Sequence, residues 1–169
     1  GHPELMMAVN LSARQFQRGV VQQQVEDALV VSGIPPYKLE LELTESALLH
    51  DGEAVTGVLR QLKALGVKLS IDDFGTGYSS FAYLRRFKFD KIKIDHSFVS
   101  ELIDDPDNAA IVRGIISLAL SLGMDVLAEG VETPAVALRL KHMQCTYAQG
   151  YHFARPLRPE AFLERLGAA

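Results

Sequence analysis

The sequence predicts an α/β fold, a (β/α)8 TIM-type barrel of which this chain carries about six of the eight strands. Three observations lead there. Short β-prone runs alternate with helical periodicity six times, with short loops between, which predicts a parallel sheet with helices outside. Polar residues gather where those runs end: Asn10, Glu45, Asp72 with Asp73, Glu129 and Gln149. Chemistry collected at the carboxyl ends of parallel strands marks the active face of a (β/α) barrel.

In chain order, residues 5–11 read as a buried strand ending near Asn10. Ser12 is expected to cap a helix running to about residue 32, which Gly33-Ile-Pro-Pro36 stops. Residues 38–45 alternate strictly, so Glu45 falls on the face of Leu39, Leu41 and Leu43, with Glu40, Glu42 and Thr44 opposite. If both faces are covered, one carboxylate row needs partners, or the strand bulges near its end. A helix over 53–65 follows, closed by Gly66, and then a strand into Asp72 and Asp73. Ser79 to Phe87 reads as a short amphipathic helix, and 90–95 as the fourth strand, with Lys91, Lys93 and Asp95 on one face. If Ile92 and Ile94 pack on the helices, Lys93 points inward. The stretch 96–106 is a connection with one helical turn. Asp107 is expected to cap a helix to Leu122, ended by Gly123. Residues 124–129 form the fifth strand, 134–142 a helix, Gln144 to Gly150 holds the sixth strand, and 159–166 a last helix.

The chain of 169 residues suits one domain, taken as 3–169 because Gly1-His2 reads as a cloning remnant. Hydrophobic residues at 48% and charged residues at 22% are ordinary for a globular protein. A net charge of −4 argues against binding a nucleic-acid polymer through a basic surface. A small anionic substrate held through metal ions remains compatible. The single cysteine, Cys145, excludes an internal disulfide and reads as a small core residue in a reducing compartment. No apolar run reaches membrane-spanning length, so the expected location is cytoplasmic, with any membrane anchor elsewhere in a parent protein.

The chemistry centres on Val67 to Ser80, where an apolar run ends in Asp72-Asp73 and a turn containing Gly75 and Gly77. Neighbouring strand residues point to opposite faces, so the two carboxylates converge only where the strand breaks up, and the glycines are expected to supply that break. Adjacent carboxylates repel unless a cation or proton intervenes. Asn10, Glu45, Asp72 and Asp73 offer oxygen donors only, which favours Mg2+ or Mn2+ over Zn2+. With Glu129 there are enough carboxylates for two ions, a centre suited to phosphodiester hydrolysis. Lys93 is placed to orient a water or contact a phosphate. Glu129 would serve as ligand or proton acceptor.

Taken together, Asn10-Leu-Ser12, Leu43-Thr-Glu45-Ser46, Ile71-Asp-Asp-Phe-Gly-Thr-Gly-Tyr-Ser-Ser80, Lys93-Ile-Asp95, Ala128-Glu-Gly-Val-Glu-Thr133 and Gln149-Gly-Tyr151 resemble the EAL-domain cyclic di-GMP phosphodiesterases. The motifs fall in family order and spacing over nearly the whole chain. The resemblance implies opening of cyclic di-GMP to linear pGpG with Mg2+ or Mn2+. It implies Asn10, Glu45 and Asp72 as ligands of a first ion, and Asp72 and Asp73 as ligands of a second. It further implies Lys93 as the water-orienting lysine, Glu129 as the essential acid, and Glu132 and Gln149 as residues that support the site or touch substrate. The partners it implies are cyclic di-GMP, sensor or GGDEF-type domains in a parent protein, and a second copy of the chain, as a homodimer or a strand-completing oligomer.

Departures from the family pattern carry their own expectations. The Glu-Ala-Leu segment, the first two strands and the helices before Asn10 are not in this sequence, and with them go one carboxylate ligand and a nucleotide-contacting Arg. The chain by itself is accordingly expected to be impaired as an enzyme. Lys88 replaces a proline usual in the family, and Gln144 and Thr146 replace a Gly and an Asp. The alternative function is a non-catalytic cyclic di-GMP receptor; such receptors typically lose metal ligands, whereas Asn10, Glu45, Asp72 and Asp73 are all present.

Overall fold

Strand follows strand in one all-parallel, six-stranded sheet whose spatial order is the chain order, β1-β2-β3-β4-β5-β6. This is the order of a (β/α) barrel cut open. The computed structural model describes residues 5–12, 15, 20–49, 52–77, 84 and 86–167. The strands are β1 (Met7–Leu11), β2 (Leu39–Thr44), β3 (Lys68–Phe74), β4 (Lys91–Ile94), β5 (Asp125–Ala128) and β6 (Tyr147–Ala148). Between and after them lie α1 (Val21–Ser32), α2 (Glu45–Leu49), α3 (Gly52–Ala64), α4 (His96–Ser100), α5 (Pro106–Ser121), α6 (Pro134–His142) and α7 (Pro159–Gly167).

The two faces of the sheet divide by chemistry. Leu39, Leu41 and Leu43 of β2, Leu69 and Ile71 of β3, Ile92 and Ile94 of β4, and Val126 and Ala128 of β5 join the buried core with Leu59, Leu62, Val112, Ile116 and Leu140 of the helices. The opposite, concave face carries Glu40, Glu42, Ser70, Asp72, Lys91 and Lys93. Its carboxylates find the partners their row requires: Lys91 Nζ lies 2.6 Å from Glu40 Oε2 and Lys93 Nζ 2.9 Å from Glu42 Oε2.

The helix ends obey ordinary capping chemistry. Gly33 closes α1 at φ 66°, with its N–H donating to the Leu29 carbonyl. Thr133 caps α6 by accepting from the Val136 N–H. Among the described residues, no helix is long and apolar enough to cross a membrane.

Several expectations are corrected. β1 is not buried: Met7 is 56% exposed and Val9 42%, because β1 pairs on one side only and lies at the sheet edge. Of the helix expected from Ser12 to 32, Gln15 is helical and a continuous helix is described from Val21, with Val20 at its N-cap. Most of 13–19 lies outside the described residues, as does most of the expected helix 79–87. Ser12 does bond Gln15, through Oγ at 2.9 Å. Glu45 is not a strand residue: β2 ends at Thr44 and Glu45 opens α2. The cap of α5 is Asp105, not Asp107; Asp105 accepts from the Asp107 and Asn108 N–H groups, with Pro106 inside the first turn. Asp95 leaves the strand as well, capping α4 by accepting from the Ser97 N–H.

Candidate active site

The centre is made at the end of β3. Asp73 takes φ 52°, and the pairing of β3 with β4 shifts between Ile71 and Phe74. That left-handed step, tolerated better by Asp than by most side chains, turns two successive side chains toward one side. The break therefore sits at Asp73 itself, two residues before the first of the glycines expected to supply it. Gly75 also has positive φ, 101°. Gly77 is closely packed for a different reason: a Cβ there would lie 3.3 Å from Glu45 Oε2.

Asp72, Asp73 and Glu129 each offer a carboxylate oxygen, and these atoms lie within 4.8 Å of one another. Three strands supply the rest. Lys93 on β4 is 5% exposed, and its Nζ lies 2.9 Å from Glu42 Oε2, 2.9 Å from Asp72 Oδ1 and 2.8 Å from Glu129 Oε1. Burial works against its charge, but hydrogen bonds to Glu129, Glu42 and Asp72 outweigh it and push the ammonium above the ordinary lysine range. Gln149, just past β6, donates from Nε2 to Glu129 Oε1 at 2.7 Å.

Asp73 and Glu129 are raised too, which in an acid disfavours the charged form. Burial raises Asp73, and repulsion from Asp72 and Asp95 adds to it. Burial also raises Glu129, partly offset by Lys93 and reinforced by Asp72 and Glu42. For an acid with a raised folded-state pKa, the proton stabilises the fold below the unfolded value, 3.8 for Asp73, and that stability is lost as pH rises through the raised value. Asp73→Asn removes the repulsion and keeps a residue type that tolerates positive φ. In metal-free buffer at pH 7–8 it is expected to melt several degrees higher than the parent chain. It should also lose most of the parent's Mn2+-induced rise in Tm. Calorimetric melts with and without Mn2+ check both; an equal or lower metal-free Tm contradicts the repulsion.

Other expected site residues are placed apart. Glu45 is 2% exposed, and its Oε2 accepts from the backbone N–H groups of Gly75 at 3.1 Å and Gly77 at 3.2 Å. It holds the loop after Asp73. Asn10 lies on β1 in register with Glu42 and is exposed. Glu132 and Gln149 line a cavity of about 640 Å3 together with His96, Tyr151, Arg155 and Arg165, and the Arg155 guanidinium sits 4.5 Å from the Tyr151 ring centre. Glu42, which sequence reasoning did not single out for the site, is joined to it through Lys93. Its signal was present in the inward row Glu40-x-Glu42, whose need for partners was legible while its neighbours were not.

The fold and site define a class: a (β/α)-barrel-type domain with an acidic, lysine-balanced centre at the carboxyl ends of its strands. The EAL domain family model matches residues 1–156, and the chain belongs to that family. It is 44% identical over 163 residues to the bifunctional diguanylate cyclase/cyclic di-GMP phosphodiesterase MucR of Pseudomonas aeruginosa, covering 96% of this chain and 24% of MucR. It is also 44% identical over 164 residues to the cyclic di-GMP phosphodiesterase NbdA of the same organism, covering 97% of this chain and 21% of NbdA. The chain thus spans about a quarter of the length of these relatives. Among solved structures, the PaMucR phosphodiesterase in a c-di-GMP complex superposes with a TM-score of 0.92 at 44% identity, over 96% of this chain and 66% of that one. Klebsiella pneumoniae BlrP1 in a manganese/cy-diGMP complex gives 0.84 at 34% identity, over 89% and 39%.

Proposed function

We propose that this chain belongs to the catalytic domain of a cyclic di-GMP phosphodiesterase that opens the cyclic dinucleotide to linear pGpG. The observation that carries this reading is the convergence of Asp72, Asp73 and Glu129 within 4.8 Å, with Lys93 joined to two of them. The family membership and the c-di-GMP complex of PaMucR support it.

The donor set fits Mg2+ or Mn2+, since it is all carboxylate oxygen and concentrates negative charge. Asp72, Asp73 and Glu129 would hold such an ion, with Glu42 beside them through Lys93. When bound, the ion supplies charge neutralisation at the phosphodiester and acidification of a water. Lys93, kept protonated by three carboxylates that take its N–H groups, holds their geometry and keeps a positive charge beside the phosphodiester. Glu129 Oε1 accepts from both Lys93 and Gln149, which leaves Oε2 as the atom that takes a proton. Burial raises the Glu129 carboxyl, the direction that favours a proton acceptor. Glu45 fixes the loop after Asp73 through two amide bonds, and so fixes the Asp73 backbone. Glu132 and Gln149 stand on the wall of a cavity whose size suits part of a nucleotide.

Turnover of cyclic di-GMP in Mn2+ by a polypeptide carrying this chain and upstream sequence, compared with the chain alone, tests the proposal. Product pGpG from the longer polypeptide is the expected result, with much less from the chain alone. Tight nucleotide binding without any product would assign the receptor function instead. The domain is expected to work on the cytoplasmic side of the cell, where the single cysteine stays reduced.

We also infer that the chain self-associates. β1 and β6 each pair on one side only, and edge N–H and C=O groups recruit further strands. Met6, Met7, Val9 and Tyr147 near those edges are exposed. Light scattering at micromolar concentration is expected to give a dimer or larger species; a monodisperse monomer would show that both edges are satisfied within one chain.

A further inference from the structure

On the concave face, residues in register across neighbouring strands point the same way. Glu42, Ser70 and Lys91 form one such row across β2, β3 and β4. Neither lysine bonds straight across. Lys91 reaches one step toward the strand amino ends, to Glu40 Oε1 at 2.9 Å and Oε2 at 2.6 Å. Lys93 makes the same diagonal move to Glu42 at 2.9 Å. Both bridges run from β4 to β2 over the top of β3, a span of about 10 Å set by two interstrand spacings. Glu40 is in register with Lys68, and Thr44 with Asp72. The Lys91–Glu40 bridge accordingly crosses β3 between Lys68 and Ser70, and the Lys93–Glu42 bridge crosses it between Ser70 and Asp72.

Ser70 is thus flanked by both crossings. It is 0% exposed, and its Oγ has no hydrogen-bond partner among the described residues. We propose that Ser70 is a positioning residue for Lys93: wedged between two parallel lysine–glutamate bridges, its short side chain is what leaves Lys93 room to span β3 and reach Glu42. A branched side chain at position 70 occupies the space of both lysine stems. Lys91, pushed off Glu40, meets Glu42 next, in its own row directly across Ser70. Glu42 then leaves Lys93, and the Lys93 ammonium is drawn toward Asp72 and Glu129, away from its balanced position.

The spectroscopic test needs only this chain; the kinetic test rests on the phosphodiesterase reading. In 15N spectra of lysine side chains, Lys91 and Lys93 are expected to give slowly exchanging ammonium signals, assigned with Lys91→Arg and Lys93→Arg. Ser70→Ala should keep both and melt no lower than the parent. Ser70→Val should shift the Lys93 signal or speed its proton exchange at least tenfold. In a polypeptide that turns over cyclic di-GMP, Ser70→Val should lower kcat about tenfold or more with KM little changed. Should Ser70→Val fail to fold, Ser70→Thr, one methyl larger than serine, is expected to show a smaller change of the same sign. An unaltered Lys93 signal in whichever of these folds overturns the proposal. So does loss of that signal in Ser70→Ala, which would make the hydroxyl the operative group. The expected spectral changes without turnover in any parent polypeptide would sink the phosphodiesterase reading and leave the role of Ser70 intact.

Discussion

Lys93→Met is expected to destabilise the chain by about 3–5 kcal/mol, the range for removing one partner of a buried ion pair. Methionine keeps the length of the stem, so the cost is electrostatic and not a cavity. Three carboxylates lose their common cation at once, since Glu42, Asp72 and Glu129 all lie within 2.9 Å of Lys93 Nζ. Denaturant titration checks this through the midpoint, with the slope unchanged. The loss should shrink as pH falls, because protonation relieves the repulsion that the lysine had balanced. A change under about 1 kcal/mol at pH 7.5 would mean the three carboxylates are stable without it. In an active polypeptide the same variant should also lose kcat, so stability and turnover must be measured together to separate the two roles.

Asp72→Ala presents the reverse balance. Asp72 Oδ1 accepts from Lys93 Nζ at 2.9 Å and from the Asp73 N–H at 3.1 Å, but Lys93 keeps Glu42 and Glu129 when Asp72 is gone. The fold should lose little, while the cation site loses its most buried member. Mn2+ binding by calorimetry is expected to disappear, and turnover in an active polypeptide to fall by roughly 10³-fold or more, several kcal/mol of charge stabilisation. Mn2+ binding equal to that of the parent chain would remove Asp72 from the site.

The sequence by itself determined the alternation of strands with helices and the identity of the chemical edge. Those follow from local rules: alternation in Leu39–Thr44, glycine stops at Gly33 and Gly66, and polar residues where apolar runs end. Family membership was legible for the same reason, because its motifs are short and contiguous. What only the tertiary structure decided is which carboxylate meets which partner. Glu42 and Glu45 are three residues apart and chemically identical, yet Glu42 is turned onto Lys93 and Glu45 onto the amides of Gly75 and Gly77. The difference is that β2 ends at Thr44, and a helix starting at Glu45 breaks the alternation from which its face was read. The Asp72–Asp73 convergence likewise depends on the φ of one non-glycine residue and on a register shift against β4, neither of which local composition encodes. The diagonal bridges over Ser70 join residues 51 apart in sequence. They exist because parallel strands place β2 and β4 on either side of β3, a fact of the assembled sheet alone.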